Sequence, residues 1–291
     1  MNDDVVEMIR GMNFDRRMLY QESMRLGCGR GAVEKDLVIT IILAIIANSP
    51  EFHSYSGNLV FRGGTCIRKV FYPDETRFSE DLDFMGLTID GANSFLRAVN
   101  GLAKVELGLT SFEGTEVLYR NERGLDFMLY YTSVLQQKDH ISFNIGTSGP
   151  MESVQSRSVN CEPYLQMSSE IPTLGIDEIL AEKTRALLQR RKPRDVFDVW
   201  FLIKKKGLKL KEELLRRKLE RSYLAAPSRK KVEASAYIMG DITTRIRETV
   251  TDAAWKNELG GLLIKPKPQR LTVIEDVCEI ISSLGDIWLT R

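Results

Sequence analysis

The sequence predicts an α+β protein: a small mixed β-sheet with helices packed on it, followed by an all-helical C-terminal domain. Three observations predict this. Apolar runs and runs that alternate apolar with polar residues fall between residues 59 and 146. Apolar residues recur at spacings of three and four in the segments around them and throughout the chain beyond about residue 175. Between the two patterns, residues 147–174 contain Gly149-Pro150, Pro163, Pro172 and several serines, a composition typical of loops. The expected organisation is residues 1–150 as N-terminal helices plus a sheet core, 151–174 as a linker and 175–291 as a helical domain.

The bulk properties narrow the class. At 291 residues the chain is one large or two modest domains. A hydrophobic content of 43% and a charged content of 28% describe an ordinary globular protein. The four cysteines are scattered with no Cys-x-x-Cys, so neither a disulfide framework nor a zinc site is suggested. The two histidines, His53 and His140, argue against a histidine-rich metal centre and a histidine-based triad. The opening MNDDVVEMIRG lacks the apolar region of a signal peptide. The longest apolar run, at residues 37–47, falls short of the about 20 residues a membrane span needs. No membrane partner and a cytoplasmic location are therefore expected.

Taken in order, residues 1–27 carry a helical pattern at Val5, Met8, Ile9, Met12, Met18 and Leu19, broken by Gly27, Gly29 and Gly31. A second helix over 33–47 opens on Glu34-Lys35-Asp36 and stops before Pro50. Its apolar residues go nearly all round, which predicts an interior position. Leu59-Val60-Phe61 is an apolar strand that runs into Gly63-Gly64-Thr65, a glycine turn at a helix start. A loop and a second strand follow in Arg77-Phe78-Ser79-Glu80-Asp81-Leu82-Asp83-Phe84. Residues 92–105 read as a helix, and 116–119, 125–134 and 140–146 as strands, giving a sheet of about four or five strands. Beyond the linker, helices are expected over 176–191, 194–206, 211–223, 230–250 and 268–284, with Lys265-Pro266-Lys267-Pro268 as a connector.

The chemistry concentrates in the stretch from Leu59 to Leu87. Side chains alternate across a strand, so Asp81 and Asp83 share one face and Leu82 and Phe84 the other. Two carboxylates roughly 7 Å apart repel one another, and a divalent cation removes the conflict. Mg²⁺ (or Mn²⁺) suits such hard oxygen donors, which commonly act together with substrate phosphates. Gly63-Gly64-Thr65 supplies the complement, unhindered backbone N–H groups at a helix start. A surface strand with solvated acids explains the charges but not the glycines upstream.

The helical half contributes a second group. Lys183 falls on the apolar stripe of its helix (Ile176, Ile179, Leu180, Leu187), where it either meets anions or runs along the surface to water. Asp195 and Asp198 share the apolar face of the next helix, opened by Pro193. From Lys183 to Arg221 there are 15 Lys/Arg against 5 Asp/Glu, a local excess of +10 in a chain of net charge +1. Such a segment suits a polyanion partner or a solvated helical face.

The joint pattern of Gly63-Gly64-Thr65 and RFSEDLDF resembles the first motif of the polymerase-beta-type nucleotidyltransferases. It is most similar to the AbiEii branch, which includes the MenT enzymes, toxins of bacterial and archaeal toxin–antitoxin systems. EKTRALLQRRKPRDVFDVWFL resembles the second conserved block of that branch, and Lys35-Asp36 fits its Lys-Asp pair ahead of an apolar helix. The resemblance implies a nucleotidyltransferase core and a nucleoside triphosphate co-substrate. Asp81 and Asp83 would hold the metal, Gly63, Gly64 and Thr65 the β/γ-phosphates, and Lys183 the developing charge. Asp198 completes the site in preference to Asp195, which has Arg194 beside it to pair with. Arg77, Ser79, Arg194 and Asp195 complete the substrate-binding set, and phosphorylation of Ser79 would add charge beside two carboxylates and switch the enzyme off. Asn144 occupies the strand position where the wider superfamily often has a third carboxylate, and Asp126 is the nearby acid. The implied acceptor is RNA, tRNA first, and the implied partner a cognate antitoxin. Modification of a protein target, or a non-catalytic nucleotide- or RNA-binding module, are the alternatives.

Overall fold

The computed structural model describes residues 7, 9, 15–48, 59–86, 88–104, 106–107, 110–147, 151–225 and 236–288. The chain forms two compact units. One comprises Met1–Leu174 together with Leu262–Lys265, and the other Gly175–Gly261 together with Pro266–Arg291. The helical positions expected at Val5, Met8 and Met12, and the first residues of the helix expected over 230–250, lie outside the described residues.

The first unit opens with helix α1 (Arg16–Leu26), whose first turn is capped by Asp15 accepting from the Met18 amide at 2.8 Å. Gly27, at φ 66°, ends it in the left-handed conformation. Helix α2 (Arg30–Ala47) is buried on nearly every side from Val33 onward, as apolar residues placed nearly all round predict. Strand β1 (Leu59–Arg62) leads into α3 (Gly63–Cys66), which continues as a π-helical turn over Ile67–Phe71.

Strand β2 (Asp81–Gly86) is followed by α4 (Ile89–Asn100), capped by Thr88 accepting from the Gly91 amide, and then by β3 (Glu106–Leu107), β4 (Thr110–Asn121), β5 (Gly124–Thr132), β6 (Lys138–Gly146), β7 (Val154–Val159) and β8 (Ser169–Leu174). They form a mixed eight-stranded sheet of order β3-β4-β5-β6-β2-β1-β8-β7. One face is sealed by α4. Phe95 packs on Phe84 at 5.0 Å, Phe143 at 5.9 Å and Phe127 at 6.5 Å between ring centroids, and Phe127 stacks on Phe143 at 4.6 Å.

The segment expected to be a linker is instead part of this sheet. β8 pairs in parallel with β1 (Phe61↔Thr173), and β7 pairs antiparallel with β8 along its whole length. The sheet is therefore larger than the four or five strands expected. Two features hide these strands. β7 (VQSRSV) is an edge strand exposed at five of its six positions, so it has no apolar alternation. β8 carries Pro172, which ordinarily argues against a strand in a sheet interior. Directly after β8, Gly175 precedes the first helix of the second unit.

The second unit consists of α5 (Ile176–Arg190), α6 (Pro193–Trp200) continuing as a π-helical turn Phe201–Lys205, α7 (Glu212–Ala225), α8 (Met239–Thr249), α9 (Asp252–Leu259) and α10 (Arg270–Ser282), with a two-stranded ribbon of β9 (Ala236–Tyr237) and β10 (Ile287–Trp288). Helix α9, capped by Thr251 on the Ala254 amide, is an element the periodicity did not reveal; at eight residues it offers too little pattern. Arg191 at φ 51° and Pro193 at the first position of α6 make the tight turn between α5 and α6. Among the described residues, no helix is long and apolar enough to cross a membrane.

Candidate functional site

Register places the predicted acids in a row across the sheet. Asp83 on β2 pairs with Asn144 on β6, and Asn144 pairs with Asp126 on β5; on the other side Asp83 faces Arg62 of β1. Directly paired residues point to the same face, so Asp83, Asn144 and Asp126 share one face while Leu82, Phe84, Phe127 and Phe143 are fully buried on the other. Asp81 and Asp83 are both half-buried, as are Ser142, Asn144 and Asp126. Burial, and then the charge of Asp83, hold the Asp126 carboxyl above the usual range, so the two acids act on each other electrostatically. The Asn144 slot and the Asp126 candidate, far apart in sequence from Asp83, are neighbours in the sheet.

The glycine turn is built against the same strand. Gly63 has φ 82°, and a Cβ there would lie 2.1 Å from Asp83 Oδ2. Only glycine tolerates both conditions. Thr65 donates from its hydroxyl to the backbone carbonyl of Asp81, so this side chain ties the turn to β2. Upstream of β2, Arg77 is buried and donates to the Phe78 carbonyl at 2.8 Å, and Ser79 is buried too. Both flank the acids in sequence, and both are packed inside the loop that leads to them.

In the second unit, Lys183 on α5 and Asp198 on α6 form an ion pair of 2.7 Å, with side chains 14% and 2% exposed. The lysine therefore meets an anion rather than running out to water. Asp195 pairs with Arg190, through Nε at 2.6 Å and Nη2 at 2.9 Å, and Arg194 lies 3.6 Å from Glu258. The expected Arg194–Asp195 pairing is thus replaced by a bidentate contact across the α5–α6 turn. Successive helical residues point about 100° apart and do not face one another.

The basic segment is less free than its charge suggests. Among its fifteen cations, Lys183, Arg190, Arg194, Lys204, Lys211, Arg217 and Lys218 are each held by an acid. Several of those acids (Asp177, Glu178, Glu258, Glu279) lie outside the segment. Lys192, Lys205, Lys209 and Arg216 remain exposed.

Sequence reading passed over Arg62, which register places beside Asp83, and the buried cations Arg68 and Lys69 behind the glycine turn. Arg62 was hidden because pairing partners are not sequence neighbours. For Arg68 and Lys69, two basic residues in an amphipathic piece gave no sign of burial.

The donor set fits a hard divalent cation: two half-buried carboxylates on one face, an amide and a third acid alongside. Among the described residues, no group of three His, Cys, Asp or Glu side chains gathers closely enough to hold a metal ion alone. An ion held by Asp81 and Asp83 would complete its shell with substrate oxygens.

Comparison with known proteins gives the family and the fold. The family model described as nucleotidyl transferase AbiEii toxin, type IV TA system, matches residues 48–281. Among solved structures, the chain is similar to MenT4, a nucleotidyltransferase toxin from Mycobacterium tuberculosis, with a TM-score of 0.69 at 17% identity over 94% of this chain and 90% of that one. It is also similar to JHP933 from Helicobacter pylori, with a TM-score of 0.52 at 16% identity over 88% of this chain and 93% of that one. No curated protein sequence matches.

Proposed function

The chain belongs to the AbiEii family of nucleotidyltransferase toxins of type IV toxin–antitoxin systems, and on that premise we propose that it transfers a nucleoside monophosphate from a triphosphate to the end of an RNA, tRNA first. The observation that carries the reading is the conjunction at β2: two half-buried carboxylates on one face, and a glycine at positive φ whose missing Cβ leaves Asp83 its place. Turn amides and paired acids in one short stretch suit a triphosphate with its counter-ion better than any single-charge ligand.

In this reading an acceptor hydroxyl attacks the α-phosphate and gives up its proton to solvent, the bond to the β-phosphate breaks and pyrophosphate leaves. Asp81 and Asp83 would hold Mg²⁺ (or Mn²⁺), which would supply positive charge to the reacting phosphate oxygens. The amides of Gly63, Gly64 and Thr65 hold the β/γ-phosphates. Lys183 neutralises charge that develops on the phosphates, and Asp198 orients the lysine through the 2.7 Å pair. Arg77 and Ser79 shape the approach to the acids, and Asp195, through Arg190, fixes the turn between α5 and α6. Arg194 and the exposed lysines of the basic segment meet the RNA backbone in a cytoplasmic setting, with a cognate antitoxin as the controlling partner.

The test is incubation with total RNA and each α-labelled triphosphate in turn. The expected result is Mg²⁺-dependent label in RNA from one triphosphate, reduced by at least about a hundredfold in Asp81→Asn. Label in protein in place of RNA identifies the acceptor as a protein, and undiminished transfer by Asp81→Asn defeats the assignment.

A further inference from the structure

Asp36, which the sequence singles out but no part of the reaction uses, sits in a buried ionic cluster behind the glycine turn. Asp36, Arg68 and Lys69 are 1%, 3% and 2% exposed. Asp36 Oδ1 accepts from Arg68 Nε at 3.0 Å, and Oδ2 accepts from Arg68 Nη2 at 3.3 Å and from Lys69 Nζ at 2.8 Å. The two cations follow Gly63-Gly64-Thr65 on the same continuous helical segment, α3 and its π-helical turn. The guanidinium carbon of Arg68 lies over the Phe78 ring, 3.9 Å from its centroid. Phe78 belongs to the loop that enters β2, and its amide donates to the Leu262 carbonyl at 2.9 Å.

Stability alone is a poor account of this arrangement. Desolvating ions costs several kcal/mol each, and apolar replacements of similar volume are often as stable or more so. Arg68 Nη1 is buried with no hydrogen-bond partner, a further cost. What the cluster achieves is orientation. A bidentate carboxylate on one side and an aromatic face on the other fix the plane of a guanidinium as no aliphatic side chain can.

We infer that Asp36 is a positioning residue: through Arg68 and Lys69 it locks the Gly63–Thr65 turn to the Phe78–Asp81 loop, so that the phosphate-holding amides and the acids keep one mutual arrangement. Thr65 ties the same two pieces together from the other side, through the Asp81 carbonyl. Glu34 and Lys35 extend the anchorage. Glu34 accepts from the Leu135 amide at 2.8 Å, and Lys35 pairs with Asp139 of β6 at 3.2 Å. The first turns of α2 thus hold both the phosphate turn and the β5–β6 hairpin. The inference rests on reading Gly63–Asp83 as the triphosphate site.

The test compares wild-type chain, Asp36→Asn and Arg68→Lys by kinetics with varied triphosphate, thermal unfolding, and hydrogen exchange at the Gly64, Thr65 and Cys66 amides. Arg68→Lys keeps a charge for Asp36 but loses the guanidinium over Phe78. The expected result is a roughly tenfold rise in KM for the triphosphate with kcat within about threefold of wild type, accompanied by faster exchange at the turn, in both variants. A purely structural role would lower Tm and leave KM and turn exchange unchanged; that outcome overturns the inference. If Asp36→Asn does not fold, Arg68→Lys decides alone. A wild-type chain that binds no triphosphate overturns the reading of the site instead, while the exchange data still show whether Asp36 fixes the turn.

Discussion

Gly63 answers to two constraints from different parts of the chain: the turn out of β1 needs φ 82°, and Asp83 fills the space a side chain would take. Gly63→Ala therefore carries about 1–2 kcal/mol of backbone strain and must also displace the carboxylate. The expected outcome is a loss of transfer activity of about tenfold or more, beyond what the fall in Tm explains. Gly31 on α2 is the control. A Cβ there meets nothing within 4 Å, so Gly31→Ala is expected to leave activity unchanged and to stabilise slightly, by up to about 1 kcal/mol. Asp36 gives a pH signature. Burial raises its carboxyl, but Arg68 and Lys69 outweigh that and pull it down to about 2. A carboxyl depressed on folding contributes stability that is complete above its unfolded value of about 3.9 and is lost as pH falls toward the folded value. Acid unfolding should therefore include a component between about pH 4 and pH 2, on the order of 2 kcal/mol, that Asp36→Asn lacks. An identical acid limb in the variant would contradict the pairing.

The α5–α6 hairpin holds its own charge balance. Asp198 is almost fully buried against Lys183, so Lys183→Met takes a cation away from a buried carboxylate and should cost roughly 3–5 kcal/mol. Replacing both, Lys183→Met with Asp198→Leu, should recover most of that stability without recovering activity; thermal unfolding and transfer assays on the same preparations separate the two effects. The α+β class and the acids on one face of β2 could be read from alternation and helical spacing, because burial on one side leaves a period in the sequence; spacing put Lys183 on the apolar stripe of α5 without deciding between an anion and water. β7 and β8 left none: one is an exposed edge and the other contains Pro172. Asp195 shows a second limit. Its sequence neighbour Arg194 points elsewhere, and its true partner Arg190 comes within reach only because Arg191 turns left-handed between the helices.

Across the whole chain, what sequence spacing cannot supply is register. The row Arg62, Asp83, Asn144 and Asp126 draws on four strands, and its members are separated by up to dozens of residues. Charge is a similar case: the excess of the basic segment is real in sequence, yet many of its cations are already held by acids from elsewhere in the same unit. The exposed remainder, with Lys192, Lys205, Lys209 and Arg216, predicts a moderate salt dependence of RNA modification. KM for RNA should rise with salt while KM for the triphosphate changes less; equal dependence of both would remove these residues from RNA binding. The claim on which all of this depends is that the face of β2 and the glycine turn hold a metal–triphosphate pair. Calorimetric titration of triphosphate, with and without Mg²⁺, into wild-type chain and into the Asp81→Asn, Asp83→Asn double variant tests it most directly. Metal-dependent binding by the wild type, absent from a double variant with an unchanged circular dichroism spectrum, is the expected result. Equal binding by both chains would contradict it.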